Sequence, residues 1–219
     1  MARILFQGDS LTDGNRYKQK ELEWDKNHQM GHSYAYIVNG ILGSRYPQKH
    51  LEFLNRGISG NRVIDIYARV NPDIIDLKPD VLSMMVGIND IPSEWNCRTG
   101  TAPEKFERLY RSMLTEIRDA LPEIRLMLCE PVIFPVNEGA RDAAACCSCV
   151  REFQEIIGRL AEEFHASHLK LQSHFEKLYR LREPEYWSWD GIHPTENGHG
   201  VIAEQWIQLF EQTVLGQLG

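Results

Sequence analysis

The run Ile4-Leu5-Phe6-Gln7-Gly8-Asp9-Ser10-Leu11 passes from apolar residues into a polar, glycine-bearing turn. It reads as a short buried strand that ends at the turn, with Ser10 just beyond it. In an open α/β sheet, ligands bind in the crevice outside the carboxyl ends of the strands. A serine at that place has two readings. It is a turn residue or helix N-cap, as serine after a strand commonly is, or it is a reactive hydroxyl held by a rigid element. The rest of the chain decides between them.

The same pattern recurs outward from this stretch. A helix is expected over Ser33–Arg45, with Tyr34, Ile37, Val38 and Ile41 at helical spacing, Ser33 as cap and Pro47 beyond its end. Leu51–Asn55 alternates as a strand, and the turn Gly57-Ile58-Ser59-Gly60-Asn61 follows. A helix over Val63–Ile75 leads to Val81-Leu82-Ser83-Met84-Met85-Val86, the near-continuous apolar run of a strand buried on both faces. Gly87-Ile88-Asn89-Asp90 ends it. Further helices are expected over Pro103–Leu121, Asp142–Phe164, Phe175–Leu181 and Thr195–Leu215, with strands at Arg125–Cys129 and His168–Leu171. Asp13–Gln29, polar around a lone Trp24, reads as a loop or lid. Alternating strands and helices imply right-handed βαβ units, hence a three-layer α/β/α fold around a mostly parallel sheet of about five strands. With no repeat or linker-like run, residues 1–219 are expected to form a single domain.

Composition narrows the function. A formal net charge of -7 argues against nucleic acid, which needs a basic face. No apolar stretch reaches the roughly 18 residues of a membrane span, and no secretory signal precedes the first strand, so the chain reads as cytoplasmic. Cys97, Cys129, Cys146, Cys147 and Cys149 make an odd number, which fits reduced thiols better than a disulfide framework. The Cys146–Cys149 cluster lacks the second ligand segment that a zinc site uses, so it reads as small residues on a helix, and no metal is expected.

Ser10, Gly60 and Asn89 each follow an expected strand, so their turns should share one edge of the sheet, and the loop Asp190-Gly191-Ile192-His193 can fold over it. A serine hydroxyl is a weak nucleophile until a base takes its proton, and histidine suits that task. The histidine needs an acceptor behind its other ring nitrogen. Asp190, three residues before His193, can supply it. Donors must also face the oxygen on which negative charge develops. The Ser10 N–H, the Gly60 N–H and the Asn89 side-chain amide are the candidates. Each of these residues alone is an ordinary turn former; in this order and at these strand ends, chance turns are a poor explanation.

Gly8-Asp9-Ser10-Leu11, Gly60, Gly87-Ile88-Asn89-Asp90 and Asp190-Gly191-Ile192-His193 resemble the four sequence blocks of the SGNH hydrolases, also called GDSL esterases/lipases. The resemblance spans nearly the whole chain without visible departure. It implies a flavodoxin-like fold and ester hydrolysis without metal or cofactor. Ser10 would be the nucleophile, His193 the base and then acid, and Asp190 its orienting partner, with Ser10, Gly60 and Asn89 as the oxyanion hole. The segment Asn55–Asn61 and the region of Trp24 look closest to the bacterial branch that includes acetylxylan and other carbohydrate acetyl esterases.

The long loops are polar rather than apolar lids, which favours a small soluble ester over a lipid surface. The expected substrate is an acetyl ester of a short carbohydrate. A thioesterase or lysophospholipase is the alternative among hydrolases, and a phosphate-holding, flavodoxin-like binding module the alternative outside them. Asp9, Trp187 and Trp189 are the candidate substrate contacts; the alternative reading of the two tryptophans is that they pack their loop onto the domain. A homo-oligomer is compatible with the sequence.

Overall fold

The structure is a computed structural model that describes residues 1–19, 24–91, 100–136 and 143–218. Trp95 and Cys97 lie outside the described residues, as do the side chains of Cys146 and Cys147. β1 (Ala2–Gly8) runs into the four-residue helix α1 (Ser10–Asp13), then α2 (Lys26–Met30) and α3 (Tyr34–Arg45). β2 (Leu51–Asn55) precedes α4 (Val63–Tyr67), β3 (Val81–Met85) precedes α5 (Pro103–Ala120), and β4 (Arg125–Cys129) precedes α6 (Ala143–Glu163). Last come β5 (Ser167–Leu169), α7 (Gln172–Leu178), α8 (Pro184–Trp187) and α9 (Glu196–Thr213).

The five strands form one parallel sheet in the order β2-β1-β3-β4-β5. The order reverses at β1, whose neighbours are β2 on one side and β3 on the other. That switch point opens a crevice at the carboxyl end of β1, beside Ser10. Successive side chains on a strand point to opposite faces. Ile4 and Phe6 of β1 therefore pack with Tyr34 and Val38 of α3 and Trp206 and Phe210 of α9. Leu5 packs on the other face with Val63 of α4, Phe106 and Tyr110 of α5 and Phe153 of α6. The one hydroxyl inside the apolar β3 run is satisfied across the layers, since the Trp206 indole N–H donates to Ser83 Oγ at 2.8 Å.

Three expectations are corrected. The helix over Val63–Ile75 is broken: α4 stops at Tyr67 and Asn71–Ile75 is a π-helical turn. Pro72 has no N–H to donate and crowds the carbonyl four residues back, and the chain widens so that the Asp76 N–H reaches Asn71 O at 2.9 Å. The segment Asp13–Gln29 is not all loop. Asp13 is buried at the end of α1, and α2 begins after Asp25, whose carboxylate accepts the His28 N–H at 3.3 Å. The last strand is Ser167–Leu169, and Leu171 instead opens α7.

Candidate active site

Gly8 starts the site. A Cβ there would lie 2.2 Å from Met85 O and 2.5 Å from Thr12 Oγ1, so only glycine lets α1 begin so close against β3. Asp9 then caps α1 by accepting the Leu11 N–H at 3.0 Å. That turn leaves Ser10 as the first helical residue, partly exposed.

Ser10 Oγ lies 2.9 Å from His193 Nε2, and His193 Nδ1 lies 2.7 Å from Asp190 Oδ2. A carboxylate only accepts, so this arrangement places the ring proton on Nδ1 and leaves Nε2 to accept from the serine. Asp190 is itself fixed, because its Oδ1 accepts the N–H groups of Ile192 at 2.9 Å and His193 at 2.7 Å. Burial works to raise the Asp190 pKa, but hydrogen bonds from the His193 N–H, the His193 ring and the Ile192 N–H outweigh it and hold the carboxyl below its ordinary value. The group stays charged, as an acceptor behind a histidine must.

The turns after β2 and β3 are tied to this centre. Buried Asp13, at the end of α1, accepts from Ser59 N–H at 2.9 Å and Ser59 Oγ at 2.8 Å, and so fixes the turn that carries Gly60. Gly60 has φ +81°, and a Cβ there would meet nothing within 4 Å, so its backbone faces open space. Asn89 Nδ2 donates to Asn61 O at 3.2 Å, which joins the β3 turn to the β2 turn and leaves the second amide hydrogen available. Asp90 completes the link by accepting the Val63 N–H at 2.9 Å. Such a group of elements can transfer a serine proton to a histidine and offer N–H donors to an oxyanion.

Residues 6–201 match the GDSL-like Lipase/Acylhydrolase family. The chain belongs to this family. An acetylxylan esterase of Geobacillus stearothermophilus is 30% identical over 211 residues, covering 94% of this chain and 92% of that one. A GDSL-like lipase structure from Parabacteroides merdae superposes with a TM-score of 0.86 at 30% identity, covering 96% of this chain and 95% of the other. Axe2, the acetylxylan esterase of G. stearothermophilus, superposes with a TM-score of 0.80 at 27% identity, covering 95% and 93%. The SGNH resemblance and its acetylxylan-esterase-like branch are thereby established, together with the three-layer fold and membership among carboxylic ester hydrolases.

Within this esterase the three expected substrate contacts part ways. Asp9 is turned inward: it is 1% exposed and its carboxylate is engaged in capping α1. Burial pushes its pKa up to about 7, against the lowering effect of the Leu11 N–H, and the nearby Asp90 adds to the rise. Trp187, 9% exposed, packs edge-on against Phe175 and Tyr186 and donates its indole N–H to Arg182 O at 3.3 Å. It holds the loop on the body of the domain. Trp189 is 65% exposed and stacks nearly parallel on the His193 ring, with centroids 5.2 Å apart. Of the three, Trp189 alone offers a free surface beside the relay.

Two residues that organise the esterase site carry no sequence motif. Ser188 is fully buried, donating to His193 O at 2.8 Å and accepting from the Gly191 N–H at 3.0 Å, so that the Asp190–His193 loop closes on itself. Ser188→Ala leaves the Gly191 N–H unpartnered and His193 O with only the longer bond from the Trp189 N–H at 3.3 Å. It is expected to lower stability by about 1–3 kcal/mol, read by urea denaturation, and to lower kcat as the loop loosens. His199 Nδ1 accepts the Tyr34 N–H at 3.2 Å, satisfying an orphan donor at the start of α3. Burial, with smaller contributions from the charges of His32 and His193, holds its pKa down to about 4. For a base depressed on folding, the unfolded chain binds the extra proton. Stability is therefore complete above about pH 6.5 and falls as pH drops toward 4, by on the order of 1–2 kcal/mol for this partly exposed ring. Urea midpoints measured across that range should decline, and His199→Asn should flatten the decline.

Among the described residues no group of three His, Cys, Asp or Glu side chains is placed to hold a metal ion, and no helix is long and apolar enough to cross a membrane.

Proposed function

We propose that this chain removes acetyl groups from short, soluble carbohydrates through an acyl-enzyme on Ser10. The observation that carries the reading is the hydrogen-bonded series Ser10–His193–Asp190, at 2.9 and 2.7 Å, in a chain of the GDSL-like family. Ser10 Oγ attacks the acetyl carbonyl carbon while its proton passes to His193 Nε2. The carbonyl oxygen, now negative, is received by the N–H groups of Ser10 and Gly60 and by the Asn89 amide. Collapse breaks the ester bond, and the alcohol leaves with the proton from His193. Water, deprotonated by the same ring, then attacks the acetyl-serine and releases acetate, restoring Ser10.

Relatives support this assignment. Solved catalytic mutants of Axe2 replace a serine, an aspartate and a histidine by alanine, the last two three positions apart, as Asp190 and His193 are here. The curated relative and Axe2 are acetylxylan esterases. The exposed Trp189 face suits a sugar ring better than a long acyl chain, which would need an apolar groove.

The test compares p-nitrophenyl acetate, p-nitrophenyl esters of longer acids, acetyl-CoA and an acetylated xylooligosaccharide. The reading expects the acetyl ester of the sugar to give the highest kcat/KM. A preference for long acyl chains or for the thioester would overturn it.

A further inference from the structure

A cleft of about 580 Å³ opens at the end of α1 opposite Ser10, with Arg16, Tyr17, Lys18, Arg56, Ile58 and Asp73 in its walls. Ser10 and Asp13 are the first and last residues of the four-residue α1, a rise of about 4.5 Å. Lys18 in the cleft wall reaches Asp13, the last residue of α1, and Ile58 leads into the Ser59-Gly60 turn, so the cleft adjoins two of the elements that position the serine's surroundings.

Among the described residues the charges there do not balance. Lys18 is committed to Asp13 at 2.8 Å. Arg16 donates to Gly57 O at 2.9 Å and lies 3.9 Å from the same aspartate. Arg69, behind them, pairs with Asp73 and donates to Asn61 Oδ1 at 2.7 Å. Arg56 is different. Its backbone is fixed at both ends, with its N–H on Phe6 O at 2.8 Å and its carbonyl accepting from Arg69 at 3.2 Å. The residue is partly buried, and its guanidinium makes no hydrogen bond or ion pair among the described residues. Among the described residues, four cations thus stand near two carboxylates, in a chain whose net charge is -7. Burial lowers the Arg16 pKa to about 10, and the positive charges of Arg56 and Arg69 press in the same direction against the attraction of Asp13 and Asp73. An anion in the cleft would relieve that repulsion.

A guanidinium fork matches the two oxygens of a carboxylate or phosphate and binds either with charge-assisted hydrogen bonds. From this geometry we infer that the cleft is an anion subsite in which Arg56 receives a carboxylate or phosphate borne on the alcohol part of the ester. The inference rests on the proposed esterase function and adds a substrate class to it: acetyl esters of acidic or phosphorylated sugars are preferred over neutral ones.

The experiment compares acetylated glucose, acetylated glucuronic acid and an acetylated glucose phosphate as substrates for the wild type, Arg56→Gln and Arg56→Lys, with p-nitrophenyl acetate as the control. In the wild type at low salt, at least one anionic ester should exceed the neutral one in kcat/KM by about tenfold. The better of the two anions identifies the group. Arg56→Gln should abolish the preference and Arg56→Lys retain part of it, while p-nitrophenyl acetate turnover stays within about twofold in all three proteins. Added salt should weaken the preference. Equal rates on neutral and anionic esters, or a preference that survives in Arg56→Gln, would overturn the inference. Loss of p-nitrophenyl acetate turnover in the wild type would instead overturn the esterase reading beneath it.

Discussion

Ser10→Ala is expected to reduce kcat for p-nitrophenyl acetate by about 10⁵–10⁶-fold, the scale at which single knock-outs of a serine nucleophile act. The geometry makes the prediction sharp because the substitution removes one oxygen and little else. Ser10 Oγ has its hydrogen bond to His193 and carries no part of the capping of α1, which belongs to Asp9. Alanine is a good helix former at the first helical position. The variant should therefore fold with an unchanged thermal midpoint, and steady-state rates at pH 8 measure the loss of chemistry alone. Full turnover in Ser10→Ala would return this serine to the status of a turn residue.

The second large effect is at Asp190. Asp190→Asn should lower kcat by about 10⁴-fold, the loss seen when an asparagine replaces the aspartate of a comparable triad. Among the contacts the carboxylate accepts are two backbone N–H groups and the His193 ring. An amide offers one accepting oxygen and one NH₂. If the oxygen stays with the backbone N–H groups, the NH₂ faces Nδ1 and the ring must accept there, which moves its proton to Nε2. The ring then has no lone pair for Ser10. If the oxygen turns to the ring, the NH₂ collides with backbone donors and the loop opens. The first outcome leaves the thermal midpoint nearly unchanged while kcat collapses, and the second lowers both. Kinetics and thermal denaturation of the same sample separate them; kcat within tenfold of the wild type would remove Asp190 from the mechanism.

Much of this architecture was legible in the residues because it rests on local, repeated signals. The alternating segment Leu51–Asn55 and the mostly apolar segment Arg125–Cys129 are strands over those same bounds, and Ser33 caps α3 as its position before Tyr34 implies. Ser10, Asn89 and Asp190–His193 stood out because each is polar at the end of an apolar stretch or beside a turn. What remained hidden depends on partners far away in sequence. Asp13 looks like a loop residue until Ser59, 46 positions on, closes on its carboxylate. His199 is one histidine among eight until the Tyr34 N–H, 165 positions earlier, meets its ring. Ser188 resembles any loop serine, and its role follows from the curl that returns His193 O to its hydroxyl. Trp187 and Trp189 are the same residue type two positions apart, yet one is buried and the other exposed because Trp187 ends α8 against Phe175 and Tyr186, whereas Trp189 lies past the helix end, beyond the Ser188–Pro194 bridge and over the His193 ring. Pro72 shows the converse error: helical spacing continued across it, but its missing N–H broke the ladder.

The central claim, that Ser10 is the nucleophile, is met most directly by covalent labelling. Wild-type protein treated with a serine-directed organophosphate and digested should yield a single modified peptide, with the adduct on Ser10 and activity lost in proportion to labelling. His193→Ala should label far more slowly, since its serine has lost its base. An adduct on another residue, or complete labelling that leaves ester hydrolysis intact, would contradict the account.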